Sequence, residues 1–372
     1  MMARSVDVMA GIADWIQVVS ELVFMIIFIL IFFGFNQRLQ VYIWTRNIRA
    51  RLRVLERYAR DSRKHAEKML AEAGAENPSE VMDRLVDYFV IEPVTIEPTD
   101  IIRRLDHVLN VREQRFKHLI ERITPKATDI ERSLAETVAE ISTALNFLYK
   151  VVRHYLLFGE KTRNWVLIMQ LELIMPQLLK IAETYYKAID VFTAGKPIGD
   201  GLGALVAYRL MKGSELRRVA EDTVAAETLL ENRKLIVVKA EGPGSRVGKP
   251  GKAVERIVEE LNGNLSMIIT VDAALKLEGE DTGSIAEGSG AAIGDPGPEK
   301  IRIERAASKY GIPLHAIVVK MGMEEAIHEM KEEIVKAAEK VVERIKELIL
   351  RNTKEGDTVL VAGIGNTVGI AQ

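Results

Sequence analysis

The stretch "VLVAGIGNTVGIAQ", residues 359–372, decides how this sequence is put together. Val359 to Ala362 is a short β-branched apolar run of the kind that forms a buried strand. Gly363, Gly365 and Asn366 follow as turn residues. Strand and turn read as the opening of a strand–turn–helix unit, yet no helix-forming run follows before Gln372. Either this is an extra strand at a sheet edge, or its helix lies elsewhere in the chain and is reached through space.

Working back from it, the region after Lys196 alternates apolar runs with amphipathic ones. "KLIVVKA" (234–240), "SMIITVDAAL" (266–275) and "PLHAIVVKM" (313–321) read as buried strands. Helices are expected over "GALVAYRLM", "KAVERIVEEL", "PEKIRIERAASKYG" and residues 327–350. Continuous apolar strands separated by helices predict an α/β domain over 196–372, with a mostly parallel sheet flanked by helices. Ligands in such sheets sit beyond the carboxyl ends of the strands, where Asp200, Asp272 and the glycine clusters fall.

The rest of the chain is of a different kind. Residues 46–195 carry helical periodicity without catalytic spacing, and are expected to form an all-α region that packs, spaces or oligomerises. Helices are expected over 46–73, from Pro78, over 99–123, from Asp129 to Gly159, and from Glu160 onward. Pro176 is a kink or break in the last of these. "WVLIMQLELIM" (165–175) is too short and too polar for a membrane span and reads as a core helix. The proline-bearing "IEPVTIEPTD" (91–100) is a linker. His107, His118 and His154 are isolated.

The N-terminal segment, 1–45, holds a single expected transmembrane helix at about 15–35, since "ELVFMIIFILIFFGF" has no charge after Glu21. Ten Lys/Arg against three acids between Asn36 and Lys68 place the bulk of the protein in the cytoplasm by the positive-inside rule. That basic segment either touches anionic lipid or is a solvated helix face. The expected location is the cell membrane and the expected partners are lipid and further copies of the chain through the helical region. A net charge of −2 gives no reason to expect nucleic acid, and the lack of cysteine excludes disulfides, thiolate metal sites and a cysteine nucleophile.

Two chemistries are open in the C-terminal half. "GPGSRVGKPG" (242–251) offers Gly242, Gly244 and Lys249 as an anion-holding loop ahead of a helix. Its spacing is not that of a Walker loop, and Pro250 stands where the magnesium-binding hydroxyl would be. The alternative is a tight turn that needs glycine. Asp200 and Asp272 are the second possibility: two carboxylates at neighbouring strand ends can share a proton as an acid/base pair, or bind a divalent cation with Asn366 or a histidine, a site that the loop acids Glu241, Asp281, Glu287 and Asp295 could complete. Asp200 can also be only a helix N-cap.

"GDGLGALVAYRL" and "IITVDAALKLEGEDTGSIAEGSGAAIG" resemble the blocks of the spore germination protease and hydrogenase maturation endopeptidase superfamily. Asp200, preceded by Gly199, matches the family's first acid. Asp272 matches its second, and Gly288, Ser289 and Gly290 match its glycine–serine–glycine segment. The resemblance implies catalytic acids in the proteases, or a divalent metal held with a histidine in the endopeptidases. Neither His315 nor His328 falls where that histidine is expected. The family's remaining block, an apolar strand with a glycine-x-glycine-asparagine turn leading into the first acid, resembles "VLVAGIGNT". On that reading the domain is circularly permuted, with Gly363, Gly365 and Asn366 beside Asp200 and the last strand next to the one bearing Asp272. The whole-chain order also resembles an archaeal membrane-anchored family described as a domain of unknown function.

Overall fold

A computed structural model describes residues 19–28, 35–86, 93, 100–294 and 297–372. The expected span is therefore described only over helix α1, Val19–Phe28, whose side chains are exposed. The rest of that span, most of the 91–100 linker and Asp295 lie outside the described residues. The chain divides into two compact units, residues 1–57 with 148–180 and residues 58–147 with 181–372.

The helical region is built from α2 (Phe35–Glu72), α3 (Pro78–Val86), α4 (Ile101–Ile123), α5 (Asp129–Thr162) and α6 (Trp165–Thr193). α2 stops where Gly74 takes a φ of +99°, a conformation glycine adopts without strain. α5 runs past the expected stop at Gly159. A Cβ there would lie 2.6 Å from the Ile168 side chain, so this glycine admits a close neighbour and does not end the helix. α6 continues through Pro176. Among the described residues it is the one helix long and apolar enough to cross a membrane by length and composition. It is only partly a core helix: Ile168 and Met175 are buried, whereas Leu173 is 73% exposed. Within the first unit, Arg49 pairs with Glu160 at 2.7 Å and Arg51 with Glu172 at 3.0 Å.

The second unit contains a seven-stranded sheet in the order β1-β2-β3-β7-β4-β6-β5. The strands are β1 (Leu216–Ala220), β2 (Thr223–Leu230), β3 (Arg233–Ala240), β4 (Met267–Leu275), β5 (Ile285–Ser289), β6 (Leu314–Met321) and β7 (Thr358–Gly363). β7 lies in the middle, parallel to β3 on one side and to β4 on the other, with Val361 level with Val237 and Ile269. The last strand is thus central, next to the strand bearing Asp272, and not at an edge.

Side chains alternate along these strands and build two cores. Val359, Val361, Val237 and Ile269 face α7 (Leu202–Met211) and α11 (Glu332–Asn352) through Leu202, Val206, Val341 and Ile345. Leu360, Ala362, Ile236 and Ile268 face α8 (Pro250–Glu260) and α9 (Pro298–Tyr310) through Val254, Ile257 and Ile303. A short helix, α10 (Met323–Ile327), completes the elements.

The sheet is mixed where a mostly parallel one was expected. β1, β2 and β3 form antiparallel hairpins, and β5 pairs antiparallel with β6. The β2–β3 turn uses Glu231 and Asn232, both at positive φ, in place of the asparagine–glycine pair that signals such turns. β2, "TVAAETLL", is rich in residues of low strand propensity and is held by its pairing with β3 and its buried first half.

Candidate functional site

Asp200 sits in a single 3-10 turn, Gly199–Gly201, that leads into α7. Gly199 donates its amide to the His328 carbonyl at 3.2 Å, and a Cβ on it would come within 2.2 Å of the Glu325 carbonyl. At Gly203 a Cβ would lie 2.1 Å from the Ile364 oxygen and 2.4 Å from the Val271 oxygen. The start of α7 therefore lies directly on the ends of β7 and β4. Gly365, at φ +133°, passes so close that a Cβ would meet the Asp200 carbonyl at 2.0 Å. Through space, the turn after β7 therefore lies against the start of α7.

Asn366 donates its backbone N–H to Asp200 Oδ2 at 3.0 Å. Its side chain points elsewhere: Nδ2 donates to Ser245 Oγ at 3.0 Å, and Oδ1 accepts from the Val368 amide at 2.9 Å. Asp272, 5% exposed, stands near the carboxyl end of β4, level with Val318 of β6. Its Oδ1 accepts from the Ala273 amide at 2.8 Å and its Oδ2 from the Gly294 amide at 2.9 Å. Thr270 Oγ1, one strand step back on the same face, accepts from the Ala292 amide at 2.8 Å.

Burial pushes the Asp272 carboxyl up to about 7, with the charge of Asp200 as the next cause, against the pull of its two amide donors. Burial also raises Asp200, opposed by the Asn366 amide. The two carboxyls sense each other, so their titration belongs to the pair. No basic side chain contributes to either shift. Near neutral pH the Asp272 carboxyl is therefore close to the midpoint of its titration, within range of the Asp200 charge.

The other expected residues divide. Gly363 and Gly365 belong to this site. Gly242 packs against the Ile370 carbonyl and Gly244 against the Ser133 side chain. The Thr367 hydroxyl lies 3.0 Å from the Glu241 oxygen and 2.8 Å from that of Gly244, which ties this loop to the C-terminal tail. The Lys249 ammonium is taken by Glu113. The first amides of α8, at Gly251 and Lys252, already donate to Glu299 Oε2 at 2.6 and 3.2 Å. The protein's own carboxylate occupies the anion position. Gly288, Ser289 and Gly290 run down the edge strand, with Ser289 level with His315, away from Asp272. Only the loop behind them, through Gly294, returns to the acid.

A metal set of two acids and a histidine does not fit this site. His315 is level with Ile269, and the His328 ring lies 3.0 Å from the Thr184 carbonyl. Glu241 pairs with Arg218 and Glu287 with Arg344. Among the described residues no group of three or more His, Asp or Glu could hold a metal ion.

Sequence reasoning missed what lies beyond Asn366. A cleft of about 620 Å³ opens there, walled by α4, the first turns of α5 and the 245–249 loop. Ser245 links it to Asn366, and also accepts from Thr137 Oγ1 at 2.8 Å. Glu136 and Glu140 on α5 line it. Their signal was present in the one-turn spacing of two acids on an otherwise amphipathic helix, but solvated pairs look the same.

A helical region followed by an α/β domain with a mixed sheet, its last strand central, defines the class of this protein. Residues 22–195 match the family described as "Protein of unknown function (DUF1512) N-terminal domain", and residues 198–371 match its partner, "Domain of unknown function (DUF1512) C-terminal". The chain belongs to this family. None of the curated proteins compared matches it. Among solved structures it is similar to a proteasome-assembly chaperone homologue of Mycobacterium tuberculosis, at 11% identity, over 43% of this chain and 83% of that one, with a TM-score of 0.28. A likeness that weak carries no argument about function.

Proposed function

We propose that this protein is a membrane-anchored, cytoplasm-facing hydrolase of peptidase type, in which Asp200 and Asp272 act together on water. The observation that carries the reading is the acid pair, Asp272 buried and Asp200 half-buried, with the Asp272 carboxyl pushed up to about 7 by burial and by the charge of Asp200. A protonated carboxyl supplies the leaving-group proton and its ionised neighbour takes one from water. The resemblance to the spore germination proteases supports the same assignment. It also supports reading the domain as circularly permuted, with β7 supplying the block that precedes the first acid. The apolar, exposed α1 and the basic start of α2 support the anchor.

The experiment is peptide hydrolysis by the full chain in detergent, with Asp200→Asn and Asp272→Asn. Both variants should keep the fold and lose turnover. Turnover retained in either would end the acid/base assignment. Carbonate extraction of membranes tests the anchor separately, with the protein expected in the pellet. The rival is a non-enzymatic membrane scaffold that self-associates through its helices. It is favoured by the exposed Leu157, Phe158, Trp165 and Leu173 of the first unit. A monomer at all concentrations in detergent would remove it.

A further inference from the structure

One end of the helix bundle in the first unit combines exposed apolar side chains with free charge of a single sign. α2 and α5 run antiparallel there: Tyr149 Oη donates to Glu56 at 3.4 Å, and further along Arg49 meets Glu160 at 2.7 Å. α6 turns back after Arg163 and Asn164 and runs with α2, so that Glu172 lies 3.3 Å from Asn47 and 3.0 Å from Arg51. Trp165 precedes Glu172 by about 10 Å of helix. The α5–α6 turn and the start of α6 therefore lie beside the early turns of α2, and in sequence the apolar α1 comes just before those turns. Leu39, Tyr42 and Ile43 share one face of α2 and are exposed. Phe158 at the end of α5, and Trp165 and Val166 at the start of α6, are exposed too.

The charges at this end are not balanced. Between residues 35 and 50, and between 155 and 175, the acids are Glu160 and Glu172. Both are taken, by Arg49 and Arg51. Arg38 and Arg46 on α2, with Lys161 and Arg163 at the α5–α6 turn, are exposed and carry no ion pair among the described residues. Apolar groups and cations presented together, with tryptophan and tyrosine among them, suit the headgroup layer of a membrane. A second copy of this end fits worse: its free charges are all positive, so a symmetric contact would set like charges against each other. Anionic lipid supplies the missing sign.

We propose that the α5–α6 turn, together with the early turns of α2, is a second membrane contact that seats in the headgroup layer of an anionic bilayer. Phe158, Trp165 and Val166 enter the layer, and the four free cations face lipid phosphates. The two arginine pairs keep Glu160 and Glu172 from repelling that surface. The contact goes beyond the N-terminal anchor but rests on that reading, because the anchor brings this end to the bilayer.

The tryptophans at positions 15, 44 and 165 allow a direct test. The full chain is reconstituted in phosphatidylcholine vesicles, with and without phosphatidylserine, as two single-tryptophan proteins. Trp15→Phe/Trp44→Phe keeps Trp165, and Trp44→Phe/Trp165→Phe keeps Trp15 in the expected span. Lipids brominated at defined depths quench a tryptophan that touches them. Expected is quenching of Trp165, strongest from the bromines nearest the headgroups. It should be at least about twofold weaker without phosphatidylserine, and likewise when Lys161→Glu/Arg163→Glu is added, while Trp15 quenching is unchanged. The lipid comparison needs no charge variant, so it still decides if that variant fails to fold. Quenched Trp15 with unquenched Trp165 overturns the contact and leaves the anchor standing. Quenching of neither removes anchor and contact together. Trp165 quenched most from the chain ends would mean that α6 crosses the bilayer. Trp165 shielded from aqueous iodide yet unquenched by lipid would assign this end to a second copy. Either result overturns the proposal.

Discussion

Two glycine-rich turns lie side by side in this sheet, one after β3 and one after β7, and they have opposite fates. The turn at 242–249 has basic residues and leads into a helix N-terminus, which is where an anion is expected. Its amides are closed by Glu299 and its lysine by Glu113. The turn at 363–366 has no cation and no helix of its own in sequence. It delivers an amide to the half-buried Asp200 carboxylate and lies against a helix from far earlier in the chain. Charge near a glycine loop therefore says little about function until its internal partners are counted. An acid withdrawn from water without a cation says more, because the cost of desolvating it is not offset by an ion pair and such perturbed acids cluster at functional sites.

The sharpest way to break the comparison is at the contact that joins β7 to α7. Gly203→Val places a branched side chain where even a Cβ would lie 2.1 Å from a backbone oxygen. Neither the helix nor the strand end can yield without moving Asp200. We expect loss of the folded α/β domain, a cost above about 4 kcal/mol, read by circular dichroism and thermal melting. A variant that melts within a few degrees of the parent would mean that α7 does not lock onto β7.

Next in size is the pH dependence of the acid pair. A carboxyl raised in the folded state binds its proton more tightly there than in the unfolded chain. Its contribution is therefore full below the ordinary carboxylate range and is lost as pH climbs to about 7. At about 1.4 kcal/mol per unit, the penalty above pH 7 is of order a few kcal/mol. Asp272→Asn cannot ionise. Denaturant titrations at pH 5 and 8 should show the parent losing stability relative to this variant as pH rises. A pH-independent difference between them would mean that Asp272 is not a raised acid.

How much of this was legible in sequence depends on the range of the interaction. The central strands are continuous apolar runs, and Val359 to Ala362 was readable as one of them. Its partners were readable only because the turn it carries resembles a known block that should stand before Asp200. The β1–β2 and β2–β3 hairpins were not legible: "TVAAETLL" carries helix-favouring residues, and Glu231–Asn232 lacks the usual hairpin glycine. Asp272 was readable as an acid on a strand; Asp200, expected at a strand end, lies instead in the 3-10 turn ahead of α7. Glu299, 48 residues from the amide it caps, left no local trace, and neither did the closure of Lys249 by Glu113.

That closure gives the smallest and most selective prediction. Glu299 caps the α8 amides of Gly251 and Lys252, as an acidic N-cap side chain would, but from another helix. Glu299→Ala should cost about 1 kcal/mol, from the lost charge-assisted bonds at the positive end of the helix. It should also expose the anion position that the sequence advertises, with Lys252 and the freed amides around it. Inorganic phosphate should then raise the melting temperature of Glu299→Ala while leaving the parent unchanged. The selectivity matters more than the size: a phosphate effect on both proteins would mean that the 242–251 turn is open after all and that the two glycine turns differ less than their contacts suggest. A phosphate effect on neither would show that Glu299 closes a structural turn with no latent anion site beneath it.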